Sequence, residues 1–111
     1  MWVFTNFGYF SVAEQGGELV VRARVQKDLE KLREKYLPEL GAIREYDGTD
    51  YEYRANVSKE AFGRALADIA KDIDYPKFKS SVREKQGVGR YNLYLSIWGI
   101  LLNLAGRKYV D

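Results

Sequence analysis

The spacing of hydrophobic residues changes along this chain, and each spacing predicts a different secondary-structure element. Between residues 19 and 25 the apolar residues alternate with two arginines, which is the two-residue period of a strand with one buried face. Between residues 26 and 37 leucines recur at intervals of three and four among Lys, Glu and Arg, which is typical of an amphipathic helix. The chain therefore combines strands with helices.

Five segments have the composition or the alternation of strands. Tight turns favour Asn and Gly, and these residues occur in the short connections at residues 6–8, 15–18 and 47–50. From Tyr51 to Val57 the odd-numbered residues are apolar, and they are expected to share the buried face. The predicted strands are residues 2–5, 9–14, 19–25, 42–46 and 51–57.

Three further helices are predicted after the last strand. Ser58 is a good N-cap, because its hydroxyl is placed to accept an otherwise orphaned backbone N–H. Asp74 is expected to cap a third helix that begins near Tyr75-Pro76, since proline is tolerated in a first helical turn. Gly87-Val88-Gly89 is a break, and a final helix is expected from about Arg90.

These elements predict an α+β fold with an antiparallel or mixed sheet of about five strands and with helices on one face. The succession strand–helix–hairpin–helix, from residue 19 to residue 73, matches the βαββα core of a ferredoxin-like fold. The usual fourth strand is absent after the second helix, and residues 9–14 are expected to take its edge position as part of an N-terminal hairpin. The predicted strand order is 1-2-3-5-4, with a C-terminal helical pair added.

The composition excludes several classes of chemistry. The chain has no histidine and no cysteine, so disulfides, zinc knuckles, thiol nucleophiles and imidazole acid–base catalysis are ruled out. Its 111 residues suffice for one core, and residues 1–111 are predicted as a single domain. The net charge of +2 is too small to indicate nucleic acid by itself. With no signal-like start and no apolar stretch of membrane length, we expect a cytoplasmic protein without metal or cofactor.

Four arginines are expected on the sheet face opposite the helices: Arg22, Arg24, Arg44 and Arg54. Their guanidinium forks suit bidentate binding of phosphate or carboxylate. The alternative is that they form cross-strand ion pairs with Glu14, Glu45 and Glu52. Tyr46 is the one aromatic residue expected in position to stack on a base. If the four arginines form an anion site, phosphate should raise the thermal midpoint of the protein.

The predicted third helix and the start of the fourth are basic, with aromatic residues between the charges. This pattern suits binding along a nucleic-acid backbone. The same pattern also occurs in an ordinary amphipathic helix, in which Phe78 and Val82 would face the core and the lysines would face water. The basic residues are Lys77, Lys79, Arg83, Lys85 and Arg90.

The final helix carries more large apolar side chains than a short terminal helix needs, and aromatic residues are favoured anchors of interfaces. It either folds back on the rest of the chain or contacts a second copy or another protein. The candidate interface residues are Tyr91, Tyr94, Trp98 and Leu102, and Tyr109 follows them.

Six segments can be compared with known proteins: residues 1–12 (MWVFTNFGYFSV), 21–24 (VRAR), 28–40 (DLEKLREKYLPEL), 48–54 (GTDYEYR), 73–79 (IDYPKFK) and 97–99 (IWG). These segments resemble a family of short, single-domain, uncharacterised bacterial proteins. The resemblance covers almost the whole chain, implies a stand-alone bacterial protein, and assigns no activity and no functional residues. Pro76 departs from the pattern, in which an acidic or small residue is expected.

Three functions follow from these observations, in order of preference. The first is a non-enzymatic binding or regulatory module that forms a homodimer or docks a protein partner through the C-terminal aromatic helix. The alternative is weak binding of RNA or single-stranded DNA by the basic third helix and the arginine-bearing sheet face. A small enzyme with an anionic ligand ranks last, because the chain lacks His and Cys and offers no recognised catalytic triad or metal cluster. Asp47 and Asp50 flank a turn, but the segment lacks the spacing of an EF-hand loop.

Overall fold

The computed structural model describes residues 1–106, and five strands within it form one sheet. The strands are β1 (Trp2–Phe4), β2 (Tyr9–Gln15), β3 (Glu18–Ala23), β4 (Arg44–Glu45) and β5 (Tyr53–Val57). All neighbouring strands are antiparallel, and their order is β1-β2-β3-β5-β4, as the sequence pattern predicts. The α+β class is thus confirmed, while the ferredoxin-like assignment stays a prediction.

The helices of the described residues lie between and after these strands. They are α1 (Gln26–Lys35), α2 (Lys59–Lys71), α3 (Phe78–Gln86), α4 (Val88–Leu101) and a 3-10 helix (Leu102–Gly106). Ser58 caps α2 as predicted, because its Oγ accepts a hydrogen bond from the backbone N–H of Ala61 at 3.2 Å. Within residues 1–106, no helix combines the length and the apolar character needed to cross a membrane.

The starts of α3 and α4 differ from the prediction. α3 begins at Phe78 rather than near Tyr75-Pro76, and Asp74 does not cap it. Lys77 occupies the N-cap position in an extended conformation (φ −134°, ψ 117°), which leaves the proline outside the helix. α4 begins at Val88, two residues earlier than expected, because Gly87 alone turns the chain with a φ of +91°.

One face of the sheet packs against α1 and α2. Leu29 and Leu32 of α1 and Phe62 of α2 are buried in the same core as alternate residues of β2, β3 and β5. Those strand residues are Phe10, Val12, Val21, Ala23, Ala55 and Val57. Because successive side chains of a strand point to opposite faces, the residues between them lie on the face away from these helices.

The connection between β1 and β2 is held by a buried threonine and a buried aspartate. The Thr5 hydroxyl donates to the carbonyl of Gly8 at 2.9 Å and accepts from the Gly8 N–H at 2.9 Å. Oδ2 of Asp28, in the first turn of α1, accepts from the Tyr9 N–H at 3.0 Å. These bonds fix the start of β2, and therefore the position of Tyr9 on the sheet.

The described chain divides into two compact units, residues 1–74 and a second unit that begins at residue 75. The second unit contains α3 and α4, and Phe78 of α3 stacks on Tyr94 of α4 with ring centroids 5.9 Å apart. The C-terminal helical pair is therefore present as predicted. That residues 1–111 form a single domain stays a prediction, and Tyr109 lies outside the described residues.

Candidate functional site

A row of five side chains crosses the sheet on the face away from α1 and α2. Trp2 of β1 pairs with Ser11, and Ser11 pairs with Arg22 of β3. Arg22 pairs with Arg54 of β5, which in turn pairs with Arg44 of β4. Directly paired residues point to the same face, so this row places three arginines side by side on three adjacent strands.

Two tyrosines hold the arginines of this face. The Cζ atoms of Arg22 and Arg24 lie 5.1 and 5.0 Å from the ring centroid of Tyr51. The Cζ atom of Arg54 lies 4.8 Å from the centroid of Tyr46, and that of Arg44 lies 5.9 Å from it. All four distances lie within the range of a cation–π interaction. The structure thus brings together all four arginines named from the sequence, and we call them with these two tyrosines the arginine face.

The hydrogen bonds of these arginines go to neutral acceptors. Arg22 Nη2 donates to Ser11 Oγ at 2.8 Å, and Arg54 Nε donates to the carbonyl of Tyr51 at 3.1 Å. Arg44 donates to Asn56 Oδ1 at 2.7 Å and to the Tyr46 hydroxyl at 3.0 Å. None of the four forms an ion pair with another residue of the described chain. The alternative of cross-strand ion pairs with Glu14, Glu45 and Glu52 is therefore wrong for residues 1–106.

The acidic residues of the β4–β5 hairpin lie close to one another instead. Glu45, Asp47 and Glu52 place carboxylate oxygens within 4.8 Å of each other. Glu45 pairs with Tyr53, which packs on the core side of the sheet, while Arg44 and Arg54 occupy the other side. Burial, and then the charges of these three acids, raise the pKa of Tyr53. The hairpin thus keeps its acidic residues on one side of the sheet and its arginines on the other. Among the described residues, no second observation at the acidic group indicates a bound cation.

The turn of this hairpin positions both tyrosines. Gly48 has a φ of +81°, as the Asp-Gly signal predicts, and the Thr49 hydroxyl donates to the Tyr46 carbonyl at 2.7 Å. Tyr51 precedes β5 in a bend, so the alternation of that strand does not extend to it. It is buried against Arg22 and Arg24 rather than in the core with Tyr53, contrary to the sequence expectation.

Aromatic residues that the sequence reasoning missed adjoin the arginine face. Tyr9 stacks on Phe4 with centroids 4.5 Å apart, and its hydroxyl lies 2.6 Å from the Tyr51 hydroxyl. Trp2, 69% exposed, meets Tyr9 edge-on with centroids 6.3 Å apart. The alternation in β1 and β2 indicates these positions in the sequence, because successive strand residues point to opposite faces. The residues on the face away from the core are Trp2, Phe4, Tyr9 and Ser11. The expectation that only Tyr46 could stack on a base is therefore wrong, because Trp2 is exposed beside the same face.

The charge of the arginine face is not neutralised by the neighbouring phenol. Burial and the hydrogen bond with Tyr51 raise the pKa of Tyr9 well above its ordinary value. The guanidinium groups of Arg24 and Arg22 act in the opposite direction but more weakly. Tyr9 is therefore a neutral phenol at physiological pH, and it adds no negative charge beside the arginines.

The basic residues of the second unit do not form a single stripe. Lys79 and Arg83 lie one helical turn apart in α3, and both contact aromatic rings of α4. Lys79 Nζ lies 3.9 Å from the centroid of Trp98, and Arg83 Cζ lies 5.7 Å from that of Tyr91. Lys85 follows Arg83 by two residues and therefore lies on another side of the helix. With Lys77 before α3 and Arg90 in α4, the five charges are dispersed.

The candidate interface residues of α4 differ in exposure. Tyr94 is 5% exposed and stacks on Phe78, so it does not offer a docking surface. Tyr91 is half-buried, whereas Trp98 and Leu102 are exposed. Apolar residues are not confined to one side of this helix. Its other exposed apolar residues, with those of the following turn, are Val88, Leu93, Leu95, Ile100, Leu101 and Leu104.

A polar cleft of about 460 Å³ lies where the end of α1 meets α2. Arg64 binds Glu39 and lowers the pKa of that carboxyl to about 2. The Tyr36 hydroxyl donates to Asp72 Oδ2 at 2.7 Å. The cleft contains none of the four sheet arginines, so it does not supply the pocket that the enzyme hypothesis needs.

Comparison with protein-family models, with curated proteins and with solved structures finds no match for this chain. A functional assignment must therefore rest on the geometry of these surfaces.

Proposed function

We propose that the protein binds single-stranded RNA or DNA across its arginine face. The observation that carries the proposal is the placement of Arg22, Arg54 and Arg44 on three adjacent strands without a carboxylate partner among residues 1–106. Like charges directly opposite one another destabilise a sheet. An anion with several negative groups, such as a phosphate backbone, relieves that repulsion and accepts charge-assisted hydrogen bonds.

The aromatic residues favour a nucleic acid over an acidic peptide or free phosphate. Trp2 and Tyr46 expose 69% and 41% of their surface on the arginine side of the sheet. Stacking of a base on an aromatic ring contributes about 1–3 kcal/mol per base and tolerates any sequence. An acidic peptide would use the charges but not the rings.

The test is fluorescence anisotropy with a labelled single strand of about twelve nucleotides at about 50 and about 200 mM salt. Binding should weaken steeply with salt. The double variant Arg44→Gln/Arg54→Gln should bind about ten-fold more weakly and reduce the salt slope by about two. Lys27→Gln/Lys59→Gln is the matched control, because it removes the same charge from exposed positions of α1 and α2.

Two outcomes would overturn the proposal. One is the absence of wild-type binding at low salt. The other is equal weakening by the two double variants, which would indicate non-specific attraction. Competition with polyglutamate tests the remaining alternative, which is an acidic protein ligand. Displacement of the oligonucleotide by polyglutamate at equal charge would indicate that alternative.

A second candidate function is self-association through α4, and the exposure of its apolar residues favours it. Ile100, Leu101 and Trp98 are 68%, 56% and 51% exposed. Exposed apolar patches of this kind mark interaction surfaces. Arg90 is the one charged residue of α4, so a matching surface must itself be apolar. A second copy of α4 offers such a surface in a two-fold symmetric dimer.

Light scattering over a concentration series tests this candidate. Wild type should associate as concentration rises, and Ile100→Glu should stay monomeric. Ile73→Glu is the control, because Ile73 is 55% exposed and lies in the first unit. A wild type that stays monomeric throughout, or equal association of Ile100→Glu, would rule the dimer out.

A further inference from the structure

We infer that the ligand of the arginine face is an oligonucleotide that runs across the strands, from Trp2 on β1 to Tyr46 beyond β4. This inference rests on the proposed function and states what size of ligand the site takes. It follows from where the exposed rings lie relative to the arginines.

The exposed rings stand at opposite edges of the sheet. Trp2 belongs to β1, the first strand in the order, and Tyr46 directly follows β4, the last strand. Neighbouring strands lie about 4.8 Å apart, so the two edges are separated by about 19 Å. Ser11, Arg22, Arg54 and Arg44 occupy the interval between them in the paired register.

The inner rings are already used by the protein. Tyr51 is buried beneath Arg22 and Arg24, and Tyr9 stacks on Phe4. Tyr51 and Tyr9 are less exposed than Trp2 and Tyr46, so they do not serve as platforms for bases, whereas Tyr46 stays 41% exposed beside its two guanidinium groups. Base stacking is therefore expected at the two edges, with phosphates over the arginines between them.

This arrangement sets a minimum ligand length. A stacked single strand rises roughly 3.4 Å per nucleotide, so about six nucleotides span the 19 Å between the edges, and fewer suffice if the strand is extended. A mononucleotide or dinucleotide reaches only one of the two exposed rings and some of the three paired arginines Arg22, Arg54 and Arg44. It should consequently lose one stacking interaction and most of the phosphate contacts.

The experiment measures affinity for thymidine oligomers from about two to about ten nucleotides, in wild type, Trp2→Ala and Trp98→Ala. Wild-type affinity should rise steeply to about six nucleotides and then change little. Trp2→Ala should weaken the longer oligomers by about five-fold or more and leave dinucleotides nearly unchanged. Trp98→Ala, which removes an exposed tryptophan from the second unit, should leave the whole length profile unchanged.

Trp2 fluorescence gives an independent readout in a Trp98→Phe background, where Trp2 is the remaining tryptophan. Long oligomers should quench it. Dinucleotides that bind as tightly as hexamers, or a Trp2→Ala loss that is equal at all lengths, would overturn the inference while the proposed function stands. If no oligomer binds at low salt, the proposed function itself fails.

Discussion

Arg22 shows how one side chain is committed to the arginine face. Its Nη2 bonds to the buried Ser11, and its Cζ lies over the ring of Tyr51. Its Nε is buried and has no hydrogen-bond partner among the described residues. A buried donor without an acceptor costs about 1–3 kcal/mol. This unpaired Nε therefore reduces what Arg22 contributes to the stability of the sheet.

Tyr36 gives a prediction about pH at the residue scale. Burial, and then the hydrogen bond to Asp72, raise its pKa from 10 to about 12. The folded state thus favours the neutral phenol, and the resulting stabilisation is complete below pH 10 and is lost as the pH rises from 10 to about 12. Denaturant unfolding at several pH values should therefore show a smaller loss over this range in Tyr36→Phe than in wild type.

Ultraviolet titration of tyrosine ionisation provides the control. Asp72→Asn should lower the pKa of Tyr36 only in part, because burial is the larger cause of the shift. An unchanged titration curve in both Tyr36→Phe and Asp72→Asn would contradict the assignment.

At the scale of elements, short connections decide where the site residues lie. The β1–β2 connection leaves no room for a side chain at Gly8, where an added Cβ would lie 2.9 Å from Phe10 Cζ and 3.0 Å from two atoms of Asp28. Asp28 holds the Tyr9 N–H, so this packing sets the start of β2. The positions of Tyr9 and of Trp2, which contacts it, depend on this packing.

We therefore expect Gly8→Ala to destabilise the protein by about 1–3 kcal/mol through overpacking. Gly63→Ala is the matched control, because Gly63 lies in α2 and a Cβ there meets nothing within 4 Å. It should raise stability by about 0.5–1 kcal/mol through helix propensity. Thermal or denaturant unfolding compares the two, and equal stability of Gly8→Ala and wild type would contradict the packing argument.

At the scale of the whole molecule, an anion bound to the arginine face should stabilise the folded chain. Phosphate at about five times its dissociation constant adds about 1 kcal/mol, or several degrees in thermal midpoint for a chain of this size. Arg24→Ala and Arg54→Ala should each remove the gain, since both guanidinium groups lie on that face. Sodium chloride at equal ionic strength is the control for salt effects. Equal phosphate stabilisation of wild type and both variants would show that the arginines bind no anion.

The residues on which the two proposals rest belong to different compact units of the molecule. The nucleic-acid proposal uses residues of the first unit, and the self-association proposal uses α4 of the second. A variant in one surface should therefore leave the other activity intact. Arg44→Gln/Arg54→Gln and Ile100→Glu form the pair of variants for that comparison.

The sequence by itself determined the two hairpins and the side of the sheet on which the arginines lie. Alternation places Val21 and Ala23 on one face of β3, so Arg22 must lie on the other, and the turn signals at Gly16 and Gly48 make β2 a neighbour of β3 and β4 a neighbour of β5. These features are local, because a two-residue period and a glycine turn act within a few residues. That is why they are readable without a structure.

The tertiary structure alone decided which partners the arginines have. Tyr51 leaves the alternation of β5 in a bend and is buried beneath Arg22 and Arg24, and its hydroxyl meets that of Tyr9. Glu45 and Glu52, two of the acids that could have paired with the arginines, lie close to each other and to Asp47 instead. Such contacts depend on residues up to 42 positions apart, as in the Tyr9–Tyr51 hydroxyl pair. Spacing along the chain cannot specify them, because they form only when register, bend and packing are set together.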